Sequence, residues 1–297
     1  MSVKIDIHAD DFGESLHASK DILECLKNGK LDSISVLANM SCFEKCAEMY
    51  RAEREHFKKE PLISVHLNLM EGRCLSEPEI LEGLVDGEGH FCISWEKLFF
   101  QSWLPGRSEL KNKLKKEIFL QIEAVKKEFP EMDKLRIDSH QHTHMIPVVA
   151  DALFEVLEEN QWEVEYIRNA KEPIGPFLKM NSLYSSYQAI NFVKNILLNF
   201  CSVLLERKLK IRKVAPMYLW GLIMSGHMDE ERVRKLLPLM VKKAEKKGRI
   251  LEILFHPGRV LEEEISEEFS QEDAILFHVS KDREIEKAAV LNLSVNI

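Results

Sequence analysis

At 297 residues the chain is long for one ordinary domain but normal for a single α/β barrel. With 45% hydrophobic and 30% charged residues it can bury a large core and keep a polar surface. A net charge of −8 argues against nucleic acid and anionic membrane as partners, because both require a basic face.

The N-terminus, MSVKIDIHADDFG, has no apolar stretch followed by a small-residue cleavage site, so it reads as a first strand and not as a signal peptide. No apolar run approaches the ~18 residues that span a bilayer. Cys25, Cys42, Cys46, Cys74, Cys92 and Cys201 include no C-x-x-C pair. Cys42 and Cys46 are spaced for one helix face, as two buried thiols are. A cytoplasmic protein is expected.

Short β-rich runs alternate with longer helical patterns, which is the mark of βα units around a parallel sheet. Strands are expected at Val3–His8, Ser33–Asn39, Ile63–Leu69, Leu135–Ser139, Val164–Arg168, Ala215–Trp220 and Ile250–Phe255. Ser15–Lys27 reads as a helix stopped by a left-handed cap at Asn28-Gly29. A stripe of Leu110, Leu114, Ile118, Ile122, Val125 and Phe129 marks another, ending before Pro130. Pro147–Glu159 opens with proline in its first turn, and Val233–Lys247 closes at Gly248. Met70–Gly106 and Lys171–Lys213 interrupt the rhythm as long excursions, the second with an apolar helix near Ile190–Leu205. Neither repeats nor linkers occur, so residues 1–297 read as one catalytic domain.

Chemistry gathers where these strands end, the edge at which parallel α/β folds bind ligands. The first strand runs into Asp10-Asp11-Phe12-Gly13, the third contains His66, the fourth runs into Asp138-Ser139-His140-Gln141-His142-Thr143-His144, and the seventh ends in His256-Pro257-Gly258. Each has a plainer reading taken singly: a turn for Asp-Asp, a satisfied core histidine for His66, turn chemistry for His256. If extended, His140, His142 and His144 would share one side, and spacing alone does not choose ligands among them. Five such groups at one barrel face make the plain readings improbable together. A mixed Asp/His set suits divalent Zn, Co, Fe, Mn or, less well, Mg, and leaves positions for water and substrate.

The segments Ala9–Gly13, Val65–Gly72, Ile137–His144 with Pro147, and His256–Gly258 resemble, in order and spacing, those of the YdjC-like carbohydrate deacetylases. Arg283-Glu284 echoes that family's closing Arg-x-Glu-Leu element, with Ile285 in the place of Leu. The resemblance implies a distorted seven-stranded (β/α) barrel like the polysaccharide deacetylase fold. It implies one divalent metal, Mg or Zn foremost and Co, Mn or Fe also suitable, held by Asp11, His66 and His140. Asp10 becomes the general base and His256 the general acid. The family usually has Asn where this chain has His8, which puts a titratable ring beside the site.

The expected reaction is removal of N-acetyl groups from chitobiose-type oligosaccharides, with Asp138 orienting a ligand histidine and Trp95, Trp103, Trp220 or Phe91 stacking on sugar rings. The expected partner is a small acetylated sugar, and a homodimer is allowed. A metal-dependent phosphoesterase ranks lower, since two-metal phosphoesterases need more carboxylates. A silent sugar-binding protein ranks lower again, since the acid–base and ligand positions are all present.

Overall fold

The period of two in a strand sorts side chains onto two faces, and in this chain those faces differ sharply. Ile7, Ala9, Ile34, Val36, Ile63, Val65, Ile137, Ile167, Leu251 and Ile253 alternate with Asp6, His8, Ser33, Ser35, Ser64, His66, Arg136, Asp138, Tyr166 and Glu252, and all are buried. A computed structural model describes residues 3–293. Among them seven strands form one parallel sheet: β1 (Ile5–Phe12), β2 (Ser33–Val36), β3 (Leu62–Leu67), β4 (Leu135–Ser139), β5 (Val164–Ile167), β6 (Met217–Trp220) and β7 (Ile250–Phe255).

Their spatial order is β5-β4-β3-β2-β1-β7-β6. The sheet curls into a half-barrel with β5 and β6 at its edges. One backbone bond, Leu219 N–H to Lys171 C=O at 3.1 Å, links the stretch after β5 to β6. Apolar residues pack outward under the helices. Polar ones fill the concave interior and satisfy one another: Asp6 accepts from Ser33 and Arg136, Tyr166 donates to Glu252, and His8 lies 2.6 Å from both Ser33 Oγ and Ser35 Oγ. A buried polar group is costly without partners; apart from Ser64 Oγ, Arg136 Nε and His66 Nε2, which have none, this lining is a connected network with the candidate site as its upper layer.

The helices are α1 (Leu16–Asn28), α2 (Phe43–Glu53), α3 (Trp95–Gln101), α4 (Arg107–Glu128), α5 (Pro147–Glu159), α6 (Ile174–Leu178), α7 (Ala189–Ile211), α8 (Glu230–Lys247), α9 (Glu272–His278) and α10 (Asp282–Asn292). Ser15 caps α1 by accepting from Ala18 N–H, and Asp229 caps α8 by accepting from Arg232 N–H. Gly248 ends α8 at φ 58°, as expected. Gly29 does not behave as expected. Its φ is −93°, and its N–H bonds to Cys25 C=O in an extended cap. Cys42 stands at the N-cap of α2 and only Cys46 lies within the helix. All six cysteines are free.

One strand boundary matters. β1 continues through Asp10 and Asp11 to Phe12, beyond the His8 end that the sequence suggests. Both excursions leave from strand C-terminal ends, Met70–Gly106 after β3 and Lys171–Lys213 after β5. Within the second, α7 is longer than its sequence pattern and is long and apolar enough, by length and composition, to cross a membrane. That corrects the expectation that no run approaches this length. Asn191 and Asn195 on its buried face donate to Ile223 C=O and Glu172.

Candidate metal centre and active site

Two irregularities aim the ligands. At the end of β1 the register with β2 shifts between Ala9 and Phe12, and Asp11 adopts φ 70°. A left-handed aspartate costs roughly 1–2 kcal/mol of backbone strain, and the bulge turns its carboxylate into the bowl beside that of Asp10. The two aspartates therefore do not point to opposite sides as on a regular strand. Gly13 follows at φ 97°, where a Cβ would lie 2.7 Å from Leu37 C=O, so this turn demands glycine. The second irregularity follows β4. His140–Met145 is a tight 3₁₀ turn with Gln141 and His142 at φ 50° and 56°. The three histidines consequently diverge instead of sharing one side.

His66 stands beside Asp138 in the register of β3 and β4, and its Nδ1 lies 2.6 Å from Asp138 Oδ1. A carboxylate only accepts, so the neutral ring carries its proton on Nδ1 and turns a lone pair outward on Nε2. That Nε2 has no hydrogen-bond partner and sits 3.4 Å from Asp11 Oδ1. His140 brings Nδ1 to 3.1 Å from the same Asp11 oxygen, while its Nε2 lies 3.1 Å from Glu71 Oε2. Each histidine thus offers one nitrogen to a common point; the other is bonded to Asp138 in His66 and lies near Glu71, without a hydrogen bond, in His140. This is the arrangement by which outer carboxylates fix metal-binding imidazoles. One donor atom each from Asp11, His66 and His140 all fall within 4.8 Å of one another. The donor set and the orphaned Nε2 fit a divalent ion.

Charge favours a cation as well. Asp10, Asp11, Glu14, Glu71, Asp138 and Glu252 are all buried around two guanidiniums, Arg168 and Arg283. Burial alone would depress the His66 pKa, but Asp10, Asp11 and Asp138 outweigh it and raise it to about 9. Asp10 and Asp11 would likewise be raised by burial. Arg168 and Arg283, with the neighbouring histidines, hold them well below the usual carboxylate range.

Arg168, at the end of β5, grips Asp10 through two bonds of 2.7 Å and donates a third of 2.7 Å to Glu252. Asp10 lies 3.2 Å from His8 Nε2 and 4.0 Å from His66 Nε2. Arg283 donates to Asp11 Oδ2 at 2.8 Å and to Glu14 at 2.7 Å. His278 spans Glu14 (2.7 Å) and Glu71 (2.9 Å), closing a ring of charged groups back to His140.

His256 follows Phe255, the β7 partner of Ala9, so it leaves its strand in line with Asp10. It is half-buried, Glu286 accepts its backbone N–H at 2.6 Å, and its ring meets Phe277 edge-on. Gly258, at φ 112°, brings this turn against Ala18, where a Cβ would lie 2.5 Å from a carbonyl oxygen. His142 is buried with its pKa depressed by desolvation and Arg168, and His144 is bonded between Ser139 and the Arg168 carbonyl. Trp220 and Phe91 are fully buried, which corrects their reading as sugar platforms; Trp95 and Trp103 keep accessible surface.

Arg168, Glu14, Glu252 and His278 escaped the sequence reading. Arg168 carried a usable signal, since it closes the fifth expected strand, and Glu71 lies within the Val65–Gly72 segment. His278 is a lone histidine in a short helix, and nothing in the sequence links it to Glu71, 207 positions away.

The sequence model of the YdjC-like proteins matches residues 4–295. A carbohydrate deacetylase of Clostridium beijerinckii is 29% identical over 167 residues, covering 56% of this chain and 61% of that protein. One of Xenopus laevis is 28% identical over 169 residues, 56% of this chain and 50% of that one. A chitooligosaccharide deacetylase of Yersinia enterocolitica is 29% identical over 154 residues, 50% of this chain and 53% of that protein. The chain thus matches only about half to three-fifths of these relatives' length. An Enterococcus faecalis structure, named as a proposed cellobiose-phosphate cleavage protein, superposes with a TM-score of 0.63 at 20% identity, covering 98% of this chain and 96% of that one. That superposition establishes a shared fold. Because the family's pattern runs through nearly the entire length, including every strand that feeds the bowl, the chain belongs to the YdjC-like family.

Proposed function

We propose that this chain is a metal-dependent deacetylase of N-acetylated amino-sugar oligosaccharides. The observation that carries the reading is the pair of histidines turned toward one oxygen of Asp11, His66 bonded to Asp138 behind it and His140 set 3.1 Å from the Glu71 carboxylate. The names of the relatives support the choice of acyl group and sugar. Asp11, His66 and His140 would hold a divalent ion, which would supply Lewis acidity toward the amide carbonyl and the attacking water.

The remaining work falls to the chain's own residues. Asp10, ionised and immobilised by Arg168, accepts a proton from the attacking water at its carboxylate. His256 at the rim gives a proton to the departing nitrogen. The amide C–N bond breaks, acetate takes the hydroxyl, and the sugar leaves as an amine. Each proton transfer is worth typically ~10²–10⁴-fold. Asp138 and Glu71 hold the ligand rings so that little reorganisation accompanies the reaction. A phosphoesterase reading is weaker, because both buried arginines of the site are already paired with carboxylates. The test is mass spectrometry of N-acetylated and phosphorylated oligosaccharides incubated with metal-loaded and chelated protein. Loss of acetyl groups with metal only supports the proposal; release of phosphate without loss of acetyl overturns it.

A further inference from the structure

Helix α3 and the turn that follows it carry an aromatic ladder whose inner rings, Trp95 and Phe99, pack against the core and whose outer rings do not. Phe100 and Trp103 are 63% and 57% exposed. Behind them, Trp95 and Phe99 stack with ring centroids 5.3 Å apart and planes 13° from parallel. Phe99 meets Phe100 and Trp103 edge-on at 5.7 and 6.4 Å. Exposing large rings in water is unfavourable, and a contiguous exposed apolar patch commonly marks a binding surface.

This ladder is joined to the catalytic bowl. Trp95 Nε1–H donates to the Gln141 carbonyl at 3.1 Å, and Gln141 is the residue after His140, held in the left-handed region. The Gln141 side-chain amide donates to Gln271 at 3.4 Å, and Gln271 is fastened by a 3.1 Å bond to Met70 C=O. The inner end of the ladder and the Gln271 amide are thus both tied to the turn that carries His140. A pyranose is apolar on its C–H faces and polar at its edges, so flat rings flanked by amides complement it. The charges of α3 are one Glu96 and one Lys97, and nearby Arg107 is paired with Asp151. A near-neutral ladder suits an uncharged sugar better than a phosphorylated one.

We infer that the α3 ladder is a second sugar subsite, receiving the units of an N-acetylated oligosaccharide that extend beyond the reacting residue. It makes the protein prefer oligomers to disaccharides. The inference rests on the deacetylase reading for the identity of the sugar, whereas the position of the subsite rests on geometry alone.

The test compares Trp103→Ala, Phe100→Ala and the conservative Trp103→Phe with the unaltered protein, on N-acetylglucosamine dimer and tetramer. The readout is the ratio of kcat/KM for tetramer over dimer. Each alanine variant lowers that ratio by about three- to tenfold, the size of one aromatic contact, and Trp103→Phe largely retains it. Because a ratio is read, loss of folded protein does not mimic the effect. An unchanged ratio in both alanine variants overturns the subsite. So does a sedimentation change from dimer to monomer with the ratio intact, which would make the face a contact between two copies. If the unaltered protein deacetylates neither sugar, the function reading fails, and the subsite is judged by tryptophan fluorescence titration with the tetramer. Quenching that Trp103→Ala and Phe100→Ala weaken sustains the subsite, and no quenching in the unaltered protein overturns it.

Discussion

Asp138 accepts the Nδ1 proton of His66 at 2.6 Å, between residues paired side by side on β3 and β4. The carboxylate thereby fixes both the tautomer and the tilt of the ring. Burial alone would raise the Asp138 pKa, but Arg168 and His66 outweigh it and lower it to about 2, so it is ionised throughout the neutral range.

Asp138→Asn keeps shape but removes the charge that makes the imidazole a better donor. The variant is expected to bind a divalent ion roughly 10- to 100-fold more weakly, measured by competition against a chromophoric chelator. Unaltered affinity would mean that Asp138 serves only the interior hydrogen-bond network.

Metal binding should depend on pH over an unusually high range. A ligand histidine must be neutral, and His66 in the metal-free protein holds its proton up to about 9, with His140 also raised well above 6.5. Protons thus compete with the ion below about pH 9, and not only below the ordinary histidine value of ~6.5. Affinity is expected to rise by about tenfold or more per pH unit between pH 6 and 8. Calorimetry that finds a flat profile there would remove both histidines from the ligand set.

His144 gives a stability prediction of opposite character. Burial, more than any other influence, lowers its pKa to about 4, while its Nε2–H donates to Arg168 C=O. The unfolded chain binds this proton near ~6.5 and the folded one only near 4, so the unfolded state holds more protons between those values. The stability present above pH ~6.5 is lost as pH falls toward 4, up to about 3 kcal/mol for this one residue. Urea midpoints at pH 7.5 and 5 should separate in the unaltered protein and draw together in His144→Asn. Equal separation in both would contradict the assignment.

The strands were legible because apolar and β-branched residues recur with turn signals between them, and Leu135–Ser139 and Ile250–Phe255 match residue for residue. The polar interior was written in the same alternation, in Asp6-x-His8-x-Asp10 and Ser33-x-Ser35, yet parallel strands are usually apolar on both faces, so these positions did not read as a network. The bulge at Asp11 was hidden because no residue type announces it. The ring through Glu14, Glu71, His278 and Arg283 was hidden because it joins segments up to 269 positions apart. Only the fold brings them together.

The most direct measurement concerns the paired aspartates, which the bulge places on the same side but which different arginines hold. Asp11 Oδ1 faces both histidines, whereas both oxygens of Asp10 are engaged by Arg168. Metal affinity by calorimetry and turnover on an N-acetylated chitooligosaccharide are measured for Asp10→Asn and Asp11→Asn. Asp11→Asn is expected to lose metal and activity together. Asp10→Asn is expected to keep the metal and lower kcat by roughly 10²–10⁴-fold. Retention of metal by Asp11→Asn with its loss in Asp10→Asn would reverse the assignment, and full turnover in both would contradict the account at its centre.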